Sequence, residues 1–136
     1  MKAVVQEDVT GCGIACVAAL ANVSYQQVKS VAMALGMKVT DSRLWSDTVY
    51  VRILLDHYGI QAMPGESPFR SWGTLPPLAL LATKWHGKNN QAFWHWVVFW
   101  DGEEGPVILD PKKSLKSHLR KDFGRVKPKW YITILT

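Results

Sequence analysis

Cysteine is scarce in this chain, and its scarcity excludes a whole class of folds. Only Cys12 and Cys16 occur among 136 residues, too few for the disulfide framework that holds small secreted domains together. The two stand four positions apart on a predicted helix, where the geometry for bridging each other is poor. Free thiols are typical of a reducing compartment, so we expect a cytoplasmic protein.

Long hydrophobic runs are absent as well. No apolar stretch approaches the length of about 20 residues that a membrane-spanning helix needs, so we expect no transmembrane segment. The polar pair Glu7 and Asp8 follows the short N-terminal stretch at once, which is unlike a secretory signal peptide.

Motifs for nucleotides and metals are missing too. The sequence contains no phosphate-binding loop, no dinucleotide-binding fingerprint and no metalloprotease helix motif. A zinc site made of Cys12, Cys16 and His95 would be a poor match to zinc signatures, because the two cysteines at helical spacing lack a second pair nearby. We therefore expect neither a metal nor an organic cofactor.

The overall composition describes one ordinary globular domain. Hydrophobic residues make up 48% and charged residues 20% of the chain, a balance that favours a folded core over disorder. Without any repeat or linker, we predict a single domain over residues 1–136. Seven tryptophans predict a large aromatic core or an aromatic groove. Trp72 and Trp85 are the groove candidates, whereas Trp94 and Trp96 should pack away from the face used by the residue between them.

Positive charge is concentrated in the last quarter of the chain, against a net charge of +5 overall. Within residues 112–129, Asp122 alone opposes eight basic residues: Lys112, Lys113, Lys116, Arg120, Lys121, Arg125, Lys127 and Lys129. Such a face could meet an acidic partner or nucleic acid. We favour a solvated basic surface and do not expect nucleic acid as a partner.

The first half of the chain is predicted to be helical. An alanine-rich run indicates a helix over residues 12–21. A second helix begins after Ser24, whose side chain can cap it together with Gln27 in a capping box, and ends at Gly36. A third helix is expected over residues 46–58 because its apolar side chains recur at helical spacing.

The second half is predicted to form an antiparallel sheet. Runs rich in strand-forming residues give the expected strands, at residues 60–63, 78–83, 93–100, 107–109 and 130–135. The run 93–100 should be buried on both faces, 64–77 should be a loop, and 114–123 should be a short basic helix. Helices followed by strands predict an α+β fold, in which N-terminal helices pack on a small antiparallel sheet.

The strongest functional signal lies near the N-terminus. Cys12 stands between Gly11 and Gly13 at the start of a predicted helix, where the helix dipole favours a thiolate and glycines let a substrate backbone approach. Gln6 carries amide donors that can stabilise an oxyanion. These are two of the parts that a cysteine hydrolase needs. Cys16, one turn later, could be a redox partner or a second nucleophile, but we expect a small buried side chain.

A base and an orienting group are predicted downstream. His95 lies inside an apolar strand, and the return strand of its hairpin ends at Asp110. Pairing across the turn at 101–106 would bring the Asp110 carboxylate back to the His95 imidazole. The other histidines have structural or solvent-exposed settings, at the end of a helix, in a loop and in the basic segment: His57, His86 and His118.

An ordered set of residues resembles a known family. Gln6, Cys12, Cys16, the run His95-Trp-Val-Val and Asp110-Pro resemble the bacteriocin-processing leader peptidases of the papain-like cysteine protease clan, over most of the chain. The resemblance implies a minimal papain-like fold and acyl transfer to Cys12, with His95 as general base and Asp110 as its orienter. It also implies Gln6 and the Cys12 backbone N–H as oxyanion donors, and a peptide or protein as substrate.

The chain departs from that family at two points. Gly11 stands where the family has an acidic residue before the nucleophile, and Asp8 lies four residues before Cys12. The family's peptidase usually belongs to a transporter that cuts after a double glycine, whereas we expect a stand-alone domain that associates with a separate peptide exporter. The implied mechanism therefore carries over better than the implied specificity.

Three functions remain open from the residues. The first is a peptidase that acts on a peptide or leader. The second is the same thiol chemistry on another acyl substrate, as in an isopeptidase, amidase, transferase or toxin. The third is a non-catalytic peptide-binding module on a peptidase fold, against which the complete set of Cys12, His95, Asp110 and Gln6 argues.

Overall fold

The computed structural model describes residues 1–88 and 90–135, which form three α-helices and a six-stranded sheet. The helices are α1 (Cys12–Ala21), α2 (Tyr25–Ala34) and α3 (Val49–His57). The strands are β1 (Ser67–Pro68), β2 (Leu78–Lys88), β3 (Gln91–Gly102), β4 (Gly105–Leu109), β5 (Leu119–Arg120) and β6 (Pro128–Thr133). All pairings are antiparallel, in the order β1-β6-β2-β3-β4-β5. The predicted α+β class is confirmed.

Local capping chemistry explains where the helices begin and end. The Ser24 side chain accepts a hydrogen bond from the Gln27 N–H at 3.1 Å, and the Ser24 N–H donates to Gln27 Oε1 at 2.9 Å, so the predicted capping box is confirmed. Gly36 follows α2 with a φ of +88°, which glycine adopts without strain. α3 begins at Val49 rather than at 46, because the Asp47 carboxylate accepts from the Val49 N–H at 2.9 Å. None of the helices in the described part of the chain is long and apolar enough to cross a membrane.

Residues 78–83 of β2 and 96–99 of β3, the two central strands, are buried on both faces, as predicted within the run 93–100. Alternate side chains form two apolar layers. The layer that includes Leu80 and Trp96 packs against the three helices. The opposite layer includes Leu81 and Val97 and is covered by Trp72. Because α1 is buried along most of its length, it lies at the centre of the helical layer, directly against β3.

The predicted helix over residues 114–123 is wrong. The segment makes turns, the short strand β5 and then a single 3-10 turn at Phe123–Arg125. The reason is tertiary, because β4 takes the segment as its sheet neighbour and the Asp110 N–H donates to the His118 carbonyl at 2.8 Å. These pairings outweigh a weak local preference for helix.

Three other boundaries differ from the sequence expectations. Residues 60–63 contribute a single bridge, from Ala62 to Ile134, rather than a strand. β1 lies inside the expected loop 64–77. β2 continues past Thr83 as far as Lys88, through an irregularity in its pairing with β3. Each difference depends on a distant pairing partner, which local propensity does not encode.

The end of β4 creates the place where the N-terminal segment docks. β4 pairs with β3 as far as Leu109 and ends there. Beyond that point β3 has no pairing with β4, and the start of α1 lies against β3 instead. There the Trp96 N–H donates to Cys12 Sγ at 3.5 Å. The preceding segment runs beside Pro111, whose carbonyl accepts from the Gln6 N–H at 2.9 Å. A helix start, a strand and the N-terminal segment thus meet at one point.

Candidate active site

The four side chains that the sequence singled out lie at this junction. Cys12 is the first residue of α1, His95 lies on β3 beyond the end of β4, and Asp110 directly follows β4. Gln6 lies in the segment that runs beside the residue after Asp110. The hairpin of β3 and β4 brings His95 and Asp110 together, as its pairing across the turn predicted.

A short hydrogen bond joins His95 to Asp110. The distance from His95 Nε2 to Asp110 Oδ1 is 2.7 Å, which leaves Nδ1 as the ring nitrogen that can exchange a proton with the Cys12 thiol. The carboxylate is 1% exposed, and it accepts two further hydrogen bonds, from the Lys112 N–H at 3.0 Å and from Arg120 Nη1 at 2.8 Å. Asp110 is therefore fixed in place and orients the imidazole.

Electrostatics make His95 and Asp110 an imidazolium–carboxylate pair at neutral pH. Burial, the largest influence on His95, lowers its pKa, but hydrogen bonds to Asp110 and Cys12 together with their charges raise the pKa to about 9. For Asp110 burial acts in the opposite direction and raises the pKa. Hydrogen bonds from His95, the Lys112 N–H and Arg120 nevertheless lower the Asp110 pKa to about 2. The imidazole consequently holds a proton that it can give to a leaving group.

The Gln6 side chain lies at the site but is engaged by its own loop. Its amide nitrogen donates to the carbonyl oxygens of Asp8 at 3.0 Å and Val9 at 3.2 Å. Its Oε1 is buried and has no hydrogen-bond partner among the described residues, an arrangement that costs about 1–3 kcal/mol. A rearrangement of residues 7–10 that frees one amide hydrogen would let Gln6 serve an oxyanion beside the Cys12 N–H, which has no acceptor within the helix.

The two glycines beside Cys12 permit close packing of α1 against its neighbours. A Cβ at Gly11 would collide with the hydroxyl of Tyr25, and a Cβ at Gly13 would lie 3.2 Å from the Trp96 indole. The glycines thus let α1 come close to α2 on one side and to β3 on the other. Because β3 also carries His95, the close packing at Gly13 helps to set the position of Cys12 relative to the imidazole.

The two cysteines of α1 differ in their surroundings and not in their exposure. Cys12 is 1% exposed and Cys16 is 2% exposed, and neither forms a disulfide. Burial raises the pKa of the Cys16 thiol well above its usual range, and the nearby Cys12 and Asp110 raise it further. Both thiols belong to the helix-side apolar core, which agrees with the small buried side chain expected for Cys16. Cys12 differs in that its sulfur accepts from the Trp96 N–H.

A cavity of about 480 Å³ opens directly onto His95. Trp45, Trp94 and residues 6–9 contribute to its lining. Three lysines also line it, Lys84, Lys112 and Lys113, together with His86. The cavity is large enough for a few residues of an extended peptide, and these residues share it with the His95 imidazole.

The tryptophans are divided differently from the sequence expectation. Trp72 packs against Phe99 on the sheet face opposite the helices, so it does not belong to this cavity. Trp85 is 47% exposed and lies outside the cavity's lining. Trp94 and Trp96 pack in the helix-side core, as predicted. Trp94 also contributes to the lining of the cavity.

Arg120 is the residue of the site that the sequence did not indicate. Its guanidinium bonds to Asp110 Oδ2 at 2.8 Å and to both carboxylate oxygens of Asp122, at 2.9 and 2.7 Å. The hydrogen bonds to Asp122, and then those to Asp110, raise the Arg120 pKa above its usual range. Arg120 was one of eight basic residues in a segment expected to be helical, and no local signal set it apart from the others.

No group of three or more histidine, cysteine, aspartate or glutamate side chains that could hold a metal ion occurs within residues 1–88 and 90–135. In comparisons with known proteins, no family model matches the chain and no curated protein matches it.

Proposed function

We propose that residues 1–136 form one papain-like cysteine peptidase domain that hydrolyses a peptide bond through a thioester at Cys12. One observation carries the proposal. The His95 ring lies 2.7 Å from the buried Asp110 carboxylate, and the next residue on β3, Trp96, donates its N–H to Cys12 Sγ at the start of α1. Thiol-dependent acyl transfer requires a nucleophile, a base next to it and a carboxylate that orients the base.

The first half of the reaction forms the thioester. In the reacting form, the proton on His95 Nδ1 is the one that Cys12 Sγ has given up, so a thiolate faces an imidazolium. The His95 pKa of about 9 keeps that proton on the ring at neutral pH. The thiolate then attacks the carbonyl carbon of the scissile amide, and the carbonyl oxygen becomes an oxyanion. When the tetrahedral adduct collapses, the C–N bond breaks and His95 gives its proton to the departing amine.

The second half releases the acid product. Neutral His95 takes a proton from a water molecule, whose oxygen attacks the thioester carbonyl. The C–S bond breaks, the carboxylic acid leaves, and the proton held by His95 restores the thiolate–imidazolium pair. Asp110 keeps its charge throughout and stabilises the imidazolium. These steps require only the chain, the peptide and water.

Two donors serve the oxyanion in this proposal. One is the Cys12 N–H in the first turn of α1, where the helix dipole also favours negative charge. The other is the Gln6 amide, once the 7–10 segment releases it from Asp8 and Val9. Because Cys12 is only 1% exposed, the same movement would open the path from the cavity to the sulfur.

The architecture supports the papain-like assignment. A buried helix carries the nucleophile at its first residue and packs against a sheet that carries the base and its orienter. We place the activity in the cytoplasm, on a peptide or protein substrate. The order of the motif residues favours a leader peptide as that substrate.

One observation favours a second candidate, a peptide-binding module without catalysis. The Cys12 sulfur is nearly inaccessible and the Gln6 amide is satisfied by its own loop. A module of this kind would bind peptides in the cavity above Trp45 and Trp94 without cleaving them.

Labelling with peptide electrophiles separates the two candidates. The chain would be treated at pH 7 with peptidyl acyloxymethyl ketones, half of which end in Gly-Gly, and the adducts located by peptide mapping. The peptidase proposal expects one adduct, at Cys12, that is lost in Cys12→Ala and kept in Cys16→Ala. Peptides that bind without forming any adduct would support the module, as would equal labelling of both cysteines.

A further inference from the structure

Two lysines stand side by side on the wall of the cavity that opens onto His95. Lys84 comes from β2 and Lys112 from the segment after β4, and both line the cavity. The Lys112 ammonium is close enough to lower the pKa of Lys84, whereas the Asp110 charge acts on Lys84 in the opposite direction. Lys112 is also held in place by its backbone, since its N–H donates to Asp110 Oδ1 at 3.0 Å.

The backbone conformation at Lys84 is unusual for a residue within a strand. Lys84 has a φ of +52°, a left-handed conformation that is unfavourable for a residue with a Cβ. It lies where the pairing of β2 with β3 shifts register, between Thr83 and His86. The irregularity is tied to the candidate base, because Thr83 Oγ1 donates to the His95 carbonyl at 2.9 Å. Strand irregularities of this kind commonly redirect a side chain next to a functional site.

The two lysines have no carboxylate of their own. In the described parts of the chain, neither forms a salt bridge. Asp110 is already occupied by His95 and Arg120. Burial and the neighbouring Lys112 ammonium lower the pKa of Lys84, which reflects the cost of holding two positive charges together.

The acidic residues that line the cavity, Glu7 and Asp8, have hydrogen-bond partners other than Lys84 and Lys112. The Asp8 carboxylate accepts from the Tyr25 hydroxyl at 2.7 Å and pairs with Lys29 at 3.1 Å. Glu7 accepts from the Gln26 side chain at 2.7 Å. Both carboxylates are therefore engaged by α2, and the lysine of the cavity lining whose charge acts on Asp8 is Lys113. Among the described residues, neither carboxylate forms a salt bridge with Lys84 or Lys112.

We infer that Lys84 and Lys112 form a subsite for a substrate carboxylate close to the bond that is cleaved. The inference rests on the proposed peptidase function and adds the chemical class of its substrate. Two ammonium groups on one side of a narrow cavity can donate to both oxygens of a carboxylate, and the bound anion relieves their mutual repulsion. The carboxylate belongs either to an Asp or Glu side chain or to the C-terminus of the peptide.

Three small reagents distinguish these sources. Iodoacetyl-Glu-amide carries a side-chain carboxylate, iodoacetyl-Gln with a free C-terminus carries a terminal one, and iodoacetyl-Gln-amide carries neither. The measurement is the second-order rate constant for alkylation of Cys12 at pH 7 and low salt, read by peptide mapping. We expect one of the two anionic reagents to react about fivefold or more faster than the neutral one, the scale of a partly exposed charge pair.

Substitutions of the lysines assign that preference. In Lys84→Gln/Lys112→Gln the ratio of anionic to neutral rates should fall to near that of free cysteine, and Lys84→Glu should favour the neutral reagent. Lys121→Gln, which removes a lysine outside this cavity, should keep the wild-type ratio. Labelling of Cys12 with a ratio that the two lysine substitutions leave unchanged would overturn the subsite alone. Failure of all three reagents to label Cys12 would overturn the peptidase proposal, and the subsite with it.

Discussion

The two cysteines of α1 stand one helical turn apart, yet they belong to different chemical environments. Cys12 opens the helix, next to an imidazole with a pKa of about 9. Cys16 lies among apolar side chains, where burial raises the pKa of its thiol well above the usual range. Since their exposed fractions are 1% and 2%, accessibility does not distinguish them. What distinguishes a candidate nucleophile from a core residue here is the helix start and the base beside it.

The largest expected effect tests that comparison by removing each thiol in turn. Cys12→Ala should lower peptide hydrolysis by about 10⁴-fold or more, because the covalent route is lost. Cys16→Ala should keep most of the activity. The measurement is turnover of a peptide mixture followed by mass spectrometry. Comparable losses in the two variants would mean that the helix position of Cys12 gives it no special role.

The second effect concerns the oxyanion site that we propose at Cys12, for which Cys16 has no counterpart. Gln6→Ala should lower kcat by about 100- to 1,000-fold with little change in KM, as expected for a donor that acts in the transition state. Gln6→Glu, which keeps the size but removes the donors, should behave like the alanine variant. Near wild-type kcat in both would show that the Gln6 amide stays with the carbonyls of Asp8 and Val9.

The third effect concerns the base. Asp110→Asn removes the charge that helps to raise the His95 pKa, so that pKa should fall from about 9 toward the usual 6.5. Because the leaving amine needs the protonated imidazole, activity is lost as pH rises through the His95 pKa. The alkaline limb of the pH profile should therefore move to lower pH, with kcat at pH 7 reduced by about 100-fold. An alkaline limb at the same pH in Asp110→Asn and wild type would show that protonation of His95 does not control the rate.

The smallest effect concerns stability. Cys16→Ser places a hydroxyl in an apolar environment and should lower the free energy of unfolding by about 1–3 kcal/mol. Cys12→Ser should cost less, because the serine oxygen can accept from the Trp96 N–H that now donates to Cys12 Sγ. Urea unfolding measures both. A greater loss of unfolding free energy in Cys12→Ser than in Cys16→Ser would show that Cys12, not Cys16, has the more apolar environment.

Much of the scaffold could be predicted from the sequence because its signals are local. The capping box at Ser24 and Gln27 involves residues three apart, and α1 has the bounds that its alanine-rich run predicted. The proximity of His95 and Asp110 followed from one hairpin, since pairing across a short turn fixes which residues face each other. The chemical roles of these side chains stay predictions.

Features that depend on distant segments could not be predicted in the same way. Arg120 reaches Asp110 because β5 pairs with β4, and no pattern within 114–123 encodes that pairing. The position of Lys84 depends on a register shift between two strands. The packing role of Gly11 became evident only with Tyr25 beside it, and the Gln6 hydrogen bonds depend on the shape of its own loop.

Competition between the two thiols of the wild-type chain tests the central claim most directly. The chain would be treated with iodoacetamide at pH 7, and the rate constants for Cys12 and Cys16 read separately by peptide mapping, with His95→Ala alongside. We predict that Cys12 reacts at least about 100-fold faster than Cys16, and that most of this advantage disappears in His95→Ala. Equal rates at the two positions, or a Cys12 rate that is indifferent to His95, would contradict the proposed active site.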